Sequence, residues 1–275
     1  MAGVSSESLT AALEALEAKL PSASLQLAKE LFGILGALDS SAGLRRALVD
    51  PSRSGDEKAA LVQRLFGGKV SADAVEIVSG LASSRWASAR DIGDALETLA
   101  ASVVIAVAEN KSAAAASGMT GLESLEDELF AFTQIVESNH EVQRALSEPQ
   151  ASPAAKIALA ERLVPNASEE AKVLIGQAVS QPRGLKVTKL VRRFAELAAK
   201  RQQRWIATVT VARPLTETQE SRLATGLNAL YGRELKINMI VDPALIGGIR
   251  IKVGDEVLDA SVHARLSQLQ RQLAG

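Results

Sequence analysis

An internal repeat with an offset of 98 residues is the feature that most constrains the fold of this chain. The segment 44–66 (LRRALVDPSRSGDEKAALVQRLF) matches 142–164 (VQRALSEPQASPAAKIALAERLV), and over 27–100 against 125–198 the copies share 20 identities in 74 positions without a gap. Three shared pairs go beyond a common Ala/Leu-rich composition: Pro51/Pro149, Lys58/Lys156 and Arg85/Arg183. Because a fixed period marks repetition of one supersecondary unit, we interpret the chain as a tandem duplication of a helical domain.

Each copy is predicted to be a small bundle of six helices joined by short turns. The first helix carries leucines at i, i+4, i+7 and i+11, the stripe of an amphipathic helix, and Pro21 ends it. Those leucines are Leu9, Leu13, Leu16 and Leu20. The remaining helices are predicted at about 25–38, 44–49, 57–66 and 71–81, with the last beginning near Ser88. The second copy repeats this plan.

The boundary between the two helical copies is predicted inside a helix. Neither Gly nor Pro occurs between Asp94 and Ser117, so the last helix of the first copy runs into the first helix of the second. We place the first domain at 1–101 and the second at 102–203.

The pattern changes at Trp205. Strands are predicted at 205–211 and 235–241, because both segments are rich in β-branched residues, and a hairpin follows over 249–258. The helix between the first two strands has Leu223, Leu227 and Leu230 on one face, and a last helix carries Val262, Leu266, Leu269 and Leu273. The predicted fold is therefore mostly α, with two tandem six-helix bundles followed by a small α+β domain at 204–275.

Composition excludes most catalytic chemistry. The chain has no Cys and two His residues, His140 and His263, and it lacks a glycine-rich phosphate loop ending in Lys-Ser/Thr. We predict no enzyme activity, no metal site and no cofactor. The most apolar stretch, 99–108, is half the length of a membrane-spanning helix, and the acidic N-terminal segment is unlike a signal peptide, so a cytoplasmic location is expected.

The segment 241–273 carries a specific pattern of turn residues. A "DP–three residues–GG" turn leads into a hairpin with "VGD", and "DxS" then opens the last helix. The residues concerned are Asp242, Pro243, Gly247, Gly248, Val253, Gly254, Asp255, Asp259 and Ser261. With the "A-x-PL[TS]" turn at 212–216, this pattern resembles the delta subunit family of F-type ATP synthases, whose mitochondrial equivalent is the oligomycin-sensitivity-conferring protein.

The resemblance covers roughly 102–275 and departs from the family in two ways. A second helical domain is present, as in actinobacterial versions, so it is open which copy makes the family's contact with the catalytic head. The family's aromatic near the start of the first helix has no counterpart in 104–109, and Ala260 replaces the common Gly.

The resemblance implies a non-catalytic stator subunit, one copy per complex, at the top of the catalytic head. Its helical domain would hold N-terminal helices of the alpha subunits, and its C-terminal domain would hold the end of the peripheral-stalk b subunit. Proton-driven rotation would thereby be coupled to ATP synthesis. The protein would lie at the cytoplasmic face of the cell membrane, associated with it only through the complex, and would bind no nucleic acid.

Two sets of apolar residues are candidates for partner binding. Val75, Val78, Val173 and Leu174 lie on helices that are apolar on more than one side, where a partner's amphipathic helix could bind in a groove. Burial in the core is the alternative for each of them. Val262, Leu266 and Leu269 on the last helix form the second set.

A basic stretch at 183–204, which includes Arg192 and Arg193, is a further candidate. It has a net charge of +7, whereas the matching stretch of the first copy, 85–106, has −1. A solvated helix face, an acidic protein partner and a nucleic acid remain as interpretations. The alternative functions are accordingly a general helical adaptor and a nucleic-acid-binding protein.

Overall fold

The computed structural model describes residues 3–114, 121–203, 206–231, 235–242, 245, 248–253 and 256–259. The chain divides into two compact units, residues 1–198 and 199–275, and each is considered by itself. The prediction of a mostly helical chain with a small β-containing C-terminal region is confirmed. Within the described ranges, no helix combines the length and apolar character needed to cross a membrane.

The helices of the first repeat fall close to their predicted positions. Ser24, Ser41, Ser54 and Ser71 each accept a backbone N–H at a helix start, which fixes these boundaries. A short 3₁₀ turn at Leu20–Ser22 follows the first helix, where Pro21 ends it. The helices are α1 (Val4–Glu17), α2 (Leu25–Ser40), α3 (Ala42–Val49), α4 (Gly55–Phe66), α5 (Ala72–Ser83) and α6 (Asp91–Ala114).

The second repeat has the same helix order. Its helices are α7 (Gly121–Ser138), α8 (His140–Ser147), α9 (Pro153–Leu163), α10 (Glu169–Ser180) and α11 (Val187–Gln203). Helix α6 continues past residue 101 to Ala114, as the absence of Gly and Pro predicts. By the offset of 98, its residues from 102 onward correspond to α1 of the first repeat.

The alignment of the two repeats without a gap is wrong at one helix. Ser71 caps α5 and Ser168 caps α10, which is an offset of 97 and not 98. Each serine hydroxyl also donates to a glutamate of the equivalent earlier helix, Glu30 or Glu128, at 2.5 Å in both cases. The loop before α10 is therefore one residue shorter, and the offset returns to 98 after the helix.

One continuous hydrophobic core runs through both repeats. Helix α6 is its centre, because residues on every side of it are buried, including Leu96, Leu99, Val104 and Ile105. A helix that is apolar all round must be covered on all sides, and both repeats contribute to that cover. The division into two six-helix domains at residue 101 therefore stays a prediction.

The second unit contains a four-stranded sheet and one described helix. The sheet has the order β2-β1-β3-β4, from β1 (Ile206–Val211), β2 (Lys236–Val241), β3 (Ile249–Val253) and β4 (Glu256–Asp259). Strands β1 and β2 are parallel and joined by α12 (Glu217–Tyr231), whereas β3 is antiparallel to both β1 and β4. Thr216 and Gln219 form a capping box at the start of α12, since Thr216 N–H donates to Gln219 Oε1 at 2.9 Å and Gln219 N–H donates to the Thr216 hydroxyl.

Helix α12 covers the apolar face of this sheet. Leu227 is buried and Leu223 packs against the same core, which includes Val209 and Ile251. Leu230 continues the spacing of Leu223 and Leu227 on the helix, and its side chain is 67% exposed. The predicted last helix, with Val262, Leu266, Leu269 and Leu273, lies outside the described residues.

Candidate functional site

The most heavily charged buried site lies between the two repeats and is centred on Arg183. This residue is in the turn between α10 and α11, where it has a positive φ of 49° and Gly184 follows with φ 81°. The turn directs the guanidinium back onto the first repeat, and only 9% of the side chain is exposed. Its Nε donates to Asp39 Oδ2 at 2.8 Å, and its Nη1 lies 2.7 Å from Asp94 Oδ1. A single arginine thus ties the end of α2 to the start of α6.

Two glycines allow the second repeat to approach this closely. A Cβ at Gly93 would collide with the Arg183 guanidinium, and one at Gly36 would lie 2.8 Å from Gln181 Nε2. Neither glycine has the positive φ that would require it for backbone reasons. Their role is the close approach of a neighbouring segment, which the sequence pattern did not predict.

Glu97 on α6 lies deeper in the same contact and is only 2% exposed. Burial raises its pKa, and the guanidinium groups of Arg183 and Arg193 oppose that increase only in part. Arg193 lies 3.6 Å from the carboxylate through Nη1 and donates to Thr98 Oγ1 at 3.1 Å through Nη2. The predicted partner-binding residue Arg193 is therefore engaged within the chain, against the first repeat.

The rest of the basic stretch is partly neutralised as well. Arg192 is exposed, but its Nη2 donates to both carboxylate oxygens of Glu137 on α7 at 2.6 Å. Three of the cations counted in the stretch thus pair with acids of the same chain. These pairs account for three of the eight cations of the stretch, which face acidic partners that the chain itself supplies. The nucleic-acid alternative is not favoured.

The apolar candidates lie mostly in the core. Val75, Val78 and Leu174 are buried, and Val173 is partly buried and packs against the same core. Their burial favours the core alternative over an open groove. Whether a partner contacts them stays a prediction.

The contact between the repeats also involves two parallel rows of side chains, on α2 and α10. Lys29 lies near the start of α10. The pKa of Glu169 there is lowered mainly by a hydrogen bond from Lys172, and the charge of Lys29 adds a smaller decrease. Two turns later, Gly36 lies against Gln181 at the other end of α10. Phe32 lies between Lys29 and Gly36 on the same helix face and is 7% exposed.

The equivalent phenylalanine of the second repeat has the opposite environment. Each phenylalanine ends a copy of the same Glu-Leu-Phe triplet, at 30–32 and at 128–130. Phe130 on α7 is nevertheless 62% exposed. Sequence analysis did not single out this residue. The repeat could have indicated it. When two copies pack head to tail, only one of two equivalent apolar side chains can be covered by the other copy, so the second is left exposed.

A cleft of about 650 Å³ opens beside Arg183, and its charged lining residues are already used within the chain. Arg45 donates to the carbonyls of Leu38 and Asp39, and Arg90 donates to the carbonyl of Arg183 at 2.9 Å. Among the residues described, no group of three or more His, Asp or Glu is arranged to hold a metal ion. The described residues that line the cleft form hydrogen bonds and ion pairs within the chain. They are not arranged as a nucleophile next to a general base.

The sheet unit exposes apolar side chains on its outer strands. Ile240 and Val241 are exposed on β2, and Val257 and Leu258 are exposed on β4. Among the described strands, β2 and β4 lie at the two edges of the sheet, where backbone groups can accept a further segment.

The turn residues of the 241–273 pattern are described only in part. Asp242 N–H donates to the carbonyl of Val211 at 2.9 Å, which closes the end of the β1–β2 pair. Gly248 has a φ of 86°, so a glycine is needed where the chain enters β3. The backbone of Asp259 ends β4. Five members lie outside the described residues: Pro243, Gly247, Gly254, Asp255 and Ser261.

Comparison with known proteins identifies the class to which this fold and these surfaces belong. Residues 111–273 match the family described as the ATP synthase delta (OSCP) subunit, so the match covers the second repeat and the sheet unit. The chain is 85% identical to ATP synthase subunit delta of Arthrobacter sp. (strain FB24) and 63% identical to that of Renibacterium salmoninarum, over the full length of both partners in each case. It is 41% identical to the Streptomyces coelicolor subunit delta, over 100% of this chain and 98% of that one.

The chain belongs to the ATP synthase delta (OSCP) subunit family. It is a non-catalytic subunit of the peripheral stalk of an F-type ATP synthase. Both repeats are part of the full-length relatives, so the additional copy is a feature that this chain shares with them. A chain of the Toxoplasma gondii mitochondrial ATP synthase hexamer aligns with 64% of this chain and 95% of its own length, at 20% identity and a TM-score of 0.33.

Proposed function

We propose that this subunit links the alpha subunits of the catalytic head to the b subunit, so that the head is held still while the rotor turns. Membership of the delta (OSCP) family carries this proposal, since the family match spans the second repeat and the sheet unit. The helical repeats would hold N-terminal helices of the alpha subunits. The sheet unit would hold the end of b, with one copy of the chain per complex at the cytoplasmic face of the membrane.

The continuous core of the two repeats supports a mechanical role. A stator must transmit torque without yielding, and a hinge between two separate bundles would yield first. Here α6 belongs to both repeats, and Arg183 ties α2 to α6 across the contact between them. In this proposal the two helical domains, 1–101 and 102–203, act as one rigid element, and the extra copy lengthens it or adds a contact.

The exposed strands of the sheet unit are suited to hold a second partner. Ile240 and Val257 are apolar and exposed on opposite edge strands, β2 and β4. Several modest contacts of this kind, acting together with those of the helical unit, dissociate slowly because each one holds the others at a high effective concentration.

The test measures two affinities with the full-length chain, because truncation at residue 101 would cut through α6 and expose its apolar surface. Val257→Asp is expected to weaken binding to the cytoplasmic part of b about tenfold, the effect typical of losing an apolar contact at an interface. Binding to the isolated catalytic head should not change. Arg222→Ala, an exposed change on α12, is the control.

Co-purification supplies the second arm. The tagged chain should bring down both alpha and b from detergent-solubilised membranes. Recovery of only one of them would contradict the linking role, and loss of both affinities in V257D would contradict the assignment of b to the sheet unit.

A further inference from the structure

The first repeat contacts the second through one face of α2, and the equivalent face of α7 in the second repeat is exposed. In the first repeat, the face of α2 that carries Lys29, Phe32 and Gly36 packs along α10. The offset of 98 places Asp127, Phe130 and Gln134 of α7 in the equivalent positions. These three residues and Ala131 are all exposed, and they are called the α7 stripe below.

A helix is the kind of partner that this surface accepts. The chain contains its own precedent, because the equivalent face of α2 contacts α10, with Lys29 near the start of α10 and Gly36 against Gln181 at its end. Phe130 presents a large apolar side chain in the centre of the stripe, as Phe32 does on α2. A buried aromatic anchor of this kind commonly provides much of the binding energy of an interface.

The negative charge of α7 favours a positively charged partner. The helix carries five acidic residues and no Lys or Arg: Glu123, Glu126, Asp127, Glu128 and Glu137. Burial raises the pKa of Glu126, and the carboxylates of Asp127 and Glu123 raise it further by repulsion. Asp127 also replaces Lys29 of the first repeat, so the charge at that position of the stripe is reversed. A cation beside the stripe would relieve this repulsion.

A second copy of the same chain fits the surface poorly. In the first repeat, the helix equivalent to α10 is α5. A second copy would therefore have to bind the stripe through the corresponding face of α5. That face carries Asp73 and Glu76, both exposed, and within the described part of the chain both pair with Lys19. The adjoining α1 adds three glutamates and no Lys or Arg. Like charges would therefore face each other in a head-to-tail contact, which opposes self-association.

We propose that the α7 stripe binds a cationic amphipathic helix of another ATP synthase subunit, with Phe130 as the apolar anchor and Asp127 as the residue that selects Lys or Arg. This inference rests on the proposed function, because it assigns one contact of the assembled complex to one helix of the second repeat.

A photo-crosslink in the assembled complex tests the identity of the partner. The full-length chain carries p-benzoylphenylalanine at position 130, and the same group at Glu161, an exposed position of α9, provides the control. We expect residue 130 to crosslink to a segment of another subunit that has Lys or Arg at helical spacing. No crosslink above the control, a crosslink to a second copy of this chain, or one to a segment without basic residues would overturn the proposal.

Affinity provides the second measurement, with detergent-solubilised ATP synthase stripped of this subunit as the binding partner. Phe130→Ala should weaken binding about tenfold or more, and Phe130→Leu should retain most of the affinity. Asp127→Lys should weaken binding about threefold to tenfold, with a larger effect at low salt than at high salt. Glu161→Lys makes the same charge change on α9 and should have little effect.

The result separates this inference from the proposed function. Wild-type affinity of F130A would overturn the α7 assignment, while co-purification of alpha and b with that variant would leave the linking role intact. Because Phe130 is exposed in the chain, thermal unfolding of F130A should match that of the wild type. A large drop in its unfolding temperature would show that Phe130 is covered within the chain, and would likewise overturn the proposal.

Discussion

The two repeats have the same order of helices but different roles at the contact between them. Arg85 is exposed, and its backbone carbonyl accepts a hydrogen bond from Ser8 Oγ at 2.7 Å. Its counterpart Arg183 is nearly buried and pairs with acids of the other repeat. The residue that follows differs as well: Trp86 is buried and donates to the carbonyl of Leu81, whereas Gly184 has the positive φ that lets the chain turn.

The difference follows from the geometry of a head-to-tail contact. When one copy of a unit packs on the next, each copy contributes a different surface, and each therefore keeps one surface unpaired. The α2 face is used and the α7 stripe is left open. The duplicated helical unit therefore has two unequal ends, and the surface used by the first repeat is exposed in the second.

Removal of Arg183 is expected to have the largest effect on stability. In Arg183→Ala, Asp39 and Asp94 lose their closest cation and, among the described residues, keep only Arg45 at 3.6 Å and Arg90 at 3.8 Å. Glu97 loses one of two nearby cations. Breaking a buried ion pair by removal of one side costs about 3–5 kcal/mol in free energy of unfolding. Urea unfolding of the full-length chain measures this quantity.

Arg85→Ala is the matched control, because it makes the same change at the equivalent position of the first repeat. Its cost should stay within about 0.5 kcal/mol, as for most surface substitutions. Equal costs for the two variants would show that Arg183 does not hold the repeats together.

The two phenylalanines should differ almost as much. Phe32→Ala removes a buried aromatic side chain at the contact with α10, and such changes cost about 3–5 kcal/mol. Phe130→Ala removes a side chain that is largely in solvent and should cost less than about 0.5 kcal/mol. Thermal and urea unfolding of both variants give the comparison. A stable F32A protein would mean that α10 does not cover Phe32.

Alanine substitution of two glycines should change the free energy of unfolding by smaller amounts, and in opposite directions. Gly93→Ala places a methyl group against the Arg183 guanidinium, and overpacking of this kind costs about 1–3 kcal/mol. Gly80→Ala, in α5 of the same repeat, meets no atom within 4 Å, and should stabilise the helix by roughly 0.5–1 kcal/mol. Urea midpoints that move in the same direction would contradict the close approach at Gly93.

Helix order was predictable because it depends on local signals. Serine caps, the prolines and the leucine spacing are read within a few residues, and the repeat supplied each signal twice. The contact between the repeats was not predictable in the same way. Arg183 is 144 residues from Asp39, and nothing in the basic stretch distinguishes it from a neighbour that faces solvent.

Exposure was the property that local pattern judged least well. Leu230 continues the spacing of Leu223 and Leu227, but its side chain is 67% exposed whereas Leu227 is buried and Leu223 packs against the core. Val75 and Leu174, proposed as partner contacts, are buried because α6 and its neighbours surround both helices. In each case, the position of a second element decides the outcome, and a one-dimensional period does not contain that position.

The smallest predicted effect concerns the pH dependence of the contact. Burial raises the pKa of Glu97 in the folded chain above its value of about 4.5 in a solvated side chain. A raised folded pKa means that the protonated form is favoured by folding. This contribution is fully present below the unfolded pKa and is lost as pH rises through the folded pKa.

Glu97→Gln should therefore stabilise the chain relative to the wild type at neutral pH, by less than the loss expected for Arg183→Ala. The advantage should shrink as pH falls toward 4.5, where the wild-type carboxyl becomes protonated. The second repeat already has an uncharged residue, Ala195, at the equivalent position. Urea unfolding between pH 4 and pH 7.5 measures the difference, with the exposed Glu196→Gln as a control that should remain within about 0.5 kcal/mol of wild type. A variant E97Q that is less stable at pH 7 than at pH 4.5, relative to wild type, would mean that Arg183 and Arg193 outweigh burial. The contact between the repeats would then depend on the charge of Glu97 and would strengthen, not weaken, as pH rises.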